Sequence, residues 1–429
     1  MKYLGIVIDK KLNFDAHIQY TTERCTKLIN ALAKSAKLDW GLQHGALRTI
    51  YKGAILPLLS YGSPVWIEAL RKKHNHNRFT RVQRLINIKI TKAFRTTSTE
   101  ALCILSGLTP ISIKLEEIAK EYNTRKKSRQ RNRPLDYKNW PHPADVPAFE
   151  EAVTNKEYTV EAYTDGSKTE EGVGSGVAVF VNNVLKHQKK YKLNTQCSNN
   201  QVEQYAILMA LKTIADLELN PDIPYTAVIY TDSKITLNSI KNTSNHNFLI
   251  EQIRKQLQTI GRQNWKIDFG WVKAHIGIYG NELADRLAKQ ATTQEAVECY
   301  TKKPRSAILR QLRTASIEEW QDEWQKTAKG SETKNYFPTV KYRLQQKTHL
   351  TTNITTLLTG HGRLKAYYHR FHLIDNPICT CKEGDQNVDH IIFNCRMLKK
   401  EKNQLQINIA QKGGHWPPNK TDLVGKFRK

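Results

Sequence analysis

Four carboxylates in the middle of this 429-residue chain stand where chemistry is often placed. Asp165 closes an alternating run in Tyr163-Thr164-Asp165-Gly166-Ser167, and Asp232 closes another in Tyr230-Thr231-Asp232-Ser233. Glu203 falls in the expected first turn of an apolar helical pattern, and Asp285 lies within a later one, Asn281–Ala291. Strand ends where the chain turns out are a usual place for ligand sites in α/β sheets. Four converging acids would repel one another without cations. Hard divalent ions such as Mg²⁺ bind through a few carboxylates plus water and substrate phosphate. A pair of such ions can support in-line displacement at phosphorus. His275, in Trp271-Val272-Lys273-Ala274-His275, could move a proton or help product leave. Each group alone has a plainer meaning: a turn, a helix cap, a solvated helix face, a surface imidazole. Their occurrence together and in order, at domain-scale spacing, favours the chemical reading.

A second constellation, Cys379, Cys381, His390 and Cys395, has the form C-x-C-x8-H-x4-C. Three thiolates and one imidazole suit tetrahedral zinc, and a metal could supply the fold of a segment with little apolar content. The alternative is three unrelated cysteines beside a surface histidine. Cys25, Cys103, Cys197 and Cys299 stand alone, which fits a reducing compartment without a disulfide framework. A nuclear or cytoplasmic location is expected. A secreted or membrane protein is not, since the most apolar stretch, Gly53–Leu70, contains Pro57, Pro64 and Glu68.

The elements that must position these groups follow from periodicity and charge. Residues 1–150 carry 27 basic and 12 acidic groups, net +15; residues 151–295 carry 16 of each; residues 296–429 carry 24 and 12, net +12. Basic flanks around a neutral middle point to a polyanionic partner, most often nucleic acid. Residues 1–125 read as a mainly helical region. Helical patterns cover Ala16–Leu38, Leu47–Leu59 and Arg78–Phe94 after a short strand at Tyr3–Asp9. A basic, Pro-rich linker is expected over 126–156. From 157 to 294, strands come first and then alternate with helices, the mark of a mixed α/β sheet. Strands are expected at Tyr158–Thr164, Gly172–Val181, Ala227–Thr231 and Trp265–Val272, and helices at Val202–Leu217, Ser233–Ile240, Phe248–Ile260 and Asn281–Ala291. Residues 300–429 are basic and mostly helical, with the Cys/His element at 379–395.

The motifs Tyr163–Ser167, Asn199–Glu203, Tyr230–Ser233 and His275 with Asn281–Asp285 resemble those of the ribonuclease H family of cellular and retroviral type. The resemblance implies a five-stranded mixed sheet with flanking helices. It also implies hydrolysis of the RNA strand of RNA–DNA hybrids with two Mg²⁺ ions, for which Mn²⁺ can substitute. Asp165, Glu203, Asp232 and Asp285 would be the metal ligands and His275 the accompanying histidine. Gly166, Ser167, Asn199, Asn200 and Ser233 would approach the hybrid. The basic protrusion that some members insert between the third and fourth motifs is absent, so the flanks are expected to supply grip.

The segments Tyr3–Asp9, Leu56–Trp66, Phe94–Leu102 and Leu105–Ile111 resemble the connection between reverse transcriptase and ribonuclease H in jockey-type non-LTR retrotransposons. That resemblance implies an association with retrotransposon RNA. A polymerase of that kind would need an Asp-Asp pair; the chain has none, and no polymerase activity is expected. Two other readings remain at this point: a catalytically silent nucleic-acid-binding remnant, and a different nuclease of the same fold. Oligomeric state is not legible.

Overall fold

The structure is a computed structural model that describes residues 1–35, 42–131, 152, 156–218, 223–274 and 276–427. It divides into two compact units, one formed by Met1–Lys126 with Gln311–Lys429, the other by Lys127–Arg310. Most of the Pro-rich linker lies outside the described residues, as does His275. Among the described residues, no helix is long and apolar enough to cross a membrane.

The second unit is the α/β one. Its strands are β1 (Val160–Lys168), β2 (Val173–Val181), β3 (Val184–Leu193), β4 (Tyr225–Thr231) and β5 (Trp265–Trp271), in the order β3-β2-β1-β4-β5. β1 pairs antiparallel with β2 and parallel with β4, and β4 runs parallel to β5, so the sheet is mixed. Its helices are α1 (Asn199–Ala215), α2 (Lys234–Lys241), α3 (Phe248–Gly261) and α4 (Tyr279–Thr293). β3 was not expected from the sequence. Val184-Leu-Lys-His-Gln-Lys-Lys-Tyr-Lys-Leu193 is an edge strand with lysines on both faces, Lys186 and Lys190 exposed and Lys189 and Lys192 half-buried, so it carries little apolar signal.

The period of two along β2 assigns one set of side chains to each layer. Val173, Val177 and Val179 join Val202, Ala206, Ile207 and Ala210 of α1 in the main core, with Ile250, Ile253 and Leu257 of α3. Ser175 Oγ ties that layer down by donating to the Val202 carbonyl at 2.8 Å. The opposite set, Gly174, Gly176 and Ala178, lies beneath α4. A Cβ on Gly176 would stand 2.1 Å from the Ala284 carbonyl oxygen, and one on Gly174 would stand 2.5 Å from Ala291 Cβ. The glycines therefore let α4 sit on the sheet backbone, with Ala178, Leu283 and Leu287 filling the space beside them.

In the first unit, the expected strand Tyr3–Asp9 is a minimal hairpin instead. Lys2–Tyr3 pairs with Ile6–Val7 because Leu4 and Gly5 turn the chain at φ values of 44° and 82°. The helical pattern Leu47–Leu59 is broken by a π-turn, Tyr51–Ile55, between helices His44–Ile50 and Leu56–Ser60. Trp66 stacks on Phe79 at 5.4 Å within one core cluster, and Trp320 and Trp324 join Ala101, Ile104 and Leu105 in another.

Gly176→Ala is expected to destabilise the second unit by about 1–3 kcal/mol, because α4 must lift from the sheet. Gly261→Ala, where a Cβ would meet nothing within 4 Å, is the control and should cost little. Urea denaturation of the two variants measures the difference.

Candidate metal-dependent site

Three of the four carboxylates converge. One oxygen each from Asp165, Glu203 and Asp232 lies within 4.8 Å of the others. β1 delivers Asp165 beside β4, whose last residue, Thr231, precedes Asp232. The two strands are parallel with Thr164 opposite Thr231, so the next residue on each presents its acid at the same level. Asp165 lies within β1, which runs on to Lys168 beside β2, rather than at the strand end expected from the sequence. Glu203 arrives from α1, which starts at a capping box. Ser198 Oγ accepts from the Gln201 amide at 3.3 Å, and Gln201 Oε1 accepts from the Ser198 amide at 3.0 Å. That cap puts Glu203 at the fifth helical residue, one turn later than the sequence suggests. Gly166 makes room for it: a Cβ there would lie 2.9 Å from both the amide nitrogen and Oε1 of Glu203.

Asp285 stands apart from this trio. It projects from α4, half-buried, and pairs with Lys289 at 2.7 Å one turn further on. It is close enough to act on Asp165 electrostatically. His275 lies outside the described residues.

Burial and mutual repulsion dominate the electrostatics. Asp165 is pushed up to about 7, first by burial, then by Asp232 and Asp285. Glu203 is raised well above the ordinary carboxylate range by burial, with Asp165 and Asp232 adding to it. Glu203 Oε2 is buried and has no hydrogen-bond partner among the described residues. Clustered carboxylates of this kind fit a divalent cation, which would remove the cost of their charge.

Around the trio, Asn199 and Asn200 are exposed in the first turn of α1, one turn before Glu203 and so on its face of the helix. The Ser233 hydroxyl is engaged as the α2 cap, accepting from the Thr236 amide at 3.3 Å. Gly166 and Ser167 continue β1 beyond Asp165, half-buried. Two further residues escaped the sequence reading. Trp271 Nε1 donates to the Asp232 carbonyl at 3.0 Å, and Lys234 Nζ lies 3.8 Å from the Trp271 ring centroid. Trp271 shares the strand phase of buried Ile267 and Phe269, so alternation assigns it to the core. It is 45% exposed because it stands at the last residue of β5.

The Cys/His constellation also assembles. One ligand atom each from Cys379, Cys381, His390 and Cys395 lies within 4.8 Å of the others, and all four residues are buried. Cys379 and Cys395 sulfurs are 3.9 Å apart, and Cys381 Sγ is 3.2 Å from His390 Nε2. With Zn–S bonds of about 2.3 Å, a tetrahedral site has a sulfur–sulfur edge of roughly 3.8 Å. The donor set and its spacing therefore fit zinc. Burial opposes ionisation of Cys379, but the Cys381 amide, the Cys381 thiol and His390 hold its thiol down to about 6.

The raised Asp165 has a consequence for stability. Between the ordinary value of 3.8 and about 7, the folded state keeps a proton that the unfolded chain releases. Stability without Mg²⁺ is then greatest at low pH and falls as pH rises through 7, by up to roughly 4 kcal/mol for this group. Asp165→Asn should therefore raise the melting temperature of Mg²⁺-free protein at pH 8 and change it little at pH 4. Equal effects at both pH values in thermal melts would contradict the assignment.

Comparison with known proteins agrees with the geometry. The RNase H family profile matches residues 157–293. A Pol polyprotein from the type-1 retrotransposable element R1 4 of Nasonia vitripennis is 39% identical over 126 residues, covering 29% of this chain and 32% of the relative. A Pol polyprotein from R1 of Popillia japonica is 26% identical over 187 residues, 42% of this chain and 72% of the relative. The ribonuclease H of Francisella tularensis subsp. novicida is 30% identical over 155 residues, 33% of this chain and 96% of that protein. The chain spans about a third or less of the length of the first two R1 relatives it matches, 32% and 14%. The chain belongs to the ribonuclease H family through residues 157–293, in a protein related to the Pol polyproteins of non-LTR retrotransposons.

Proposed function

We propose that this protein cuts the RNA strand of RNA–DNA hybrids endonucleolytically, leaving 5′-phosphate and 3′-hydroxyl ends. The observation that carries the reading is the convergence of Asp165, Glu203 and Asp232, one oxygen of each within 4.8 Å of the others, with burial and mutual repulsion raising Asp165 and Glu203. Asp165, Glu203, Asp232 and Asp285 would hold two Mg²⁺ ions, or Mn²⁺ in their place. When bound, such ions polarise water and offset the charge that develops on phosphate oxygens. The chain's own contribution is positional. Gly166 admits Glu203 close to β1, the pin from Trp271 to Asp232 holds the β4 end, and Lys289 occupies Asp285 until a competing cation arrives. Asn199 and Asn200 on the exposed face of α1, with Gly166, Ser167 and Ser233, would meet the sugar–phosphate backbone. His275 follows β5 in the chain and is assigned proton transfer or product release. The net +15 and +12 flanks would add sequence-independent grip on the hybrid and on retrotransposon RNA.

Cleavage of an end-labelled hybrid in Mg²⁺ tests this. Cuts confined to the RNA strand are expected, with Asp165→Asn reducing the rate at least about 100-fold. His275→Ala should slow turnover less than Asp165→Asn does. Binding without cuts, equal in the wild type and Asp165→Asn, would instead establish a silent nucleic-acid-binding remnant.

We also propose that Cys379, Cys381, His390 and Cys395 hold one structural Zn²⁺. Metal analysis should find one zinc per chain, lost in Cys395→Ser, and Co²⁺ substitution should give a thiolate charge-transfer band. Zinc content unchanged in Cys395→Ser would overturn the assignment.

A further inference from the structure

The first unit contains a cavity of about 370 Å³ remote in sequence from every carboxylate discussed so far. It is walled by helix His44–Ile50, the end of helix Thr99–Ser106, and the stretch 343–350. Its polar lining is His44, Arg48, Arg343, Lys347, Thr348 and His349, and no carboxylate lines it. Ile90, Leu105 and Leu350 form an apolar wall. The volume lies within the range of small-ligand sites.

The two guanidinium groups have partners that orient them. Arg48 Nη2 donates to the Gly107 carbonyl at 3.1 Å, just past a helix C-terminus where a cation is favourable. Arg343 is 5% exposed and donates to the carbonyls of Leu105 and Gln346. Those bonds orient the half-buried Arg48 and the buried Arg343, but they leave the cavity over-supplied with donors. Arg48 Nε, His44 Nδ1 and Thr348 Oγ1 are all buried without a hydrogen-bond partner among the described residues. Buried polar atoms without partners are rare, because each costs desolvation. His44 and His349 meet edge to face at 5.4 Å, and burial first, then His349, Arg48 and Arg343, disfavours the charged form of His44. An anion in the cavity would relieve both the unmet donors and the crowded positive charge. Carboxylate ligands could do so in part, but the number of donors, with two guanidinium groups among them, matches phosphate better.

We propose that this cavity is a binding site for the phosphate of a nucleotide, separate from the ribonuclease site. The apolar wall suits a sugar or base edge beside the phosphate. The phosphate could belong to a free nucleotide or to a nucleic-acid strand end.

The test uses the full chain in Mg²⁺-free buffer, which keeps the carboxylate site out of the measurement. Calorimetric titrations compare inorganic phosphate, a nucleoside 5′-monophosphate, and a short single-stranded oligonucleotide with and without a 5′-phosphate. Saturable binding of one phosphate group per chain is expected, weakened about tenfold by Lys347→Gln/His349→Gln. Both residues are exposed, so that variant should keep its melting temperature. His44→Gln should weaken binding as well. Tighter binding of the 5′-phosphorylated oligonucleotide than of the mononucleotide would identify a strand end, and the reverse order a free nucleotide. Absence of saturable phosphate binding, or affinities unchanged in both variants, would overturn the proposal. Hybrid cleavage by the wild type is measured separately with saturating hybrid in Mg²⁺, so a failure of the ribonuclease reading would show apart from a failure of phosphate binding.

Discussion

The contact on which the site depends most is between α4 and the glycines of β2. Helix packing on a sheet usually leaves about 10 Å between layers. Here Gly174 and Gly176 remove the side chains that would set that spacing, and the small residues Ala284, Ala288 and Ala291 approach the strand backbone itself. α4 carries Asp285, so this approach brings its charge within reach of Asp165 on the neighbouring strand. Gly166 plays the same part toward the other layer, allowing Glu203 to close against β1. Glycine at these positions sacrifices strand propensity for proximity, and proximity is what a multi-carboxylate site needs.

Proximity has an electrostatic cost, and the fold carries it openly. Asp165 and Glu203 are buried beside like charges, with Asp165 pushed up to about 7. No amount of core packing removes that repulsion; only protons or cations do. The domain is therefore less stable in its charged form than its core alone would make it. The first unit shows the inverse arrangement. Its cavity gathers guanidinium and imidazole groups with no acid among them, so it awaits negative charge as the carboxylate trio awaits positive. The Cys/His element adds a third cluster of like groups, whose buried thiols have few apolar neighbours.

Much of the second unit was legible because its signals are local. Alternation marks the strand that carries Asp165, although β1 runs on to Lys168, and apolar periodicity marks α1, although its start at Asn199 precedes the expected Val202. β3 was missed because an edge strand with lysines on both faces lacks the apolar pattern that betrays a strand. Trp271 was missed for the opposite reason, since it keeps a core phase at a place where the core has ended. In the first unit, one continuous helical pattern became helix, π-turn and helix, because a π-turn leaves helical periodicity almost unchanged.

By itself, the sequence determined the identities of the acids and the elements that carry them, the grouping of Cys379, Cys381, His390 and Cys395, and the neutral middle between basic flanks. These follow from residue type and short-range spacing, which need no fold to be read. Tertiary structure alone decided that Asp165, Glu203 and Asp232 form a trio while Asp285 pairs with Lys289 beside it. It also decided that Met1–Lys126 and Gln311–Lys429 build one unit, with Trp320 and Trp324 buried against Ile104 and Leu105. The reason is the same in both cases: contacts between residues far apart in the chain depend on shape complementarity and burial, and neither leaves a periodic trace in the sequence.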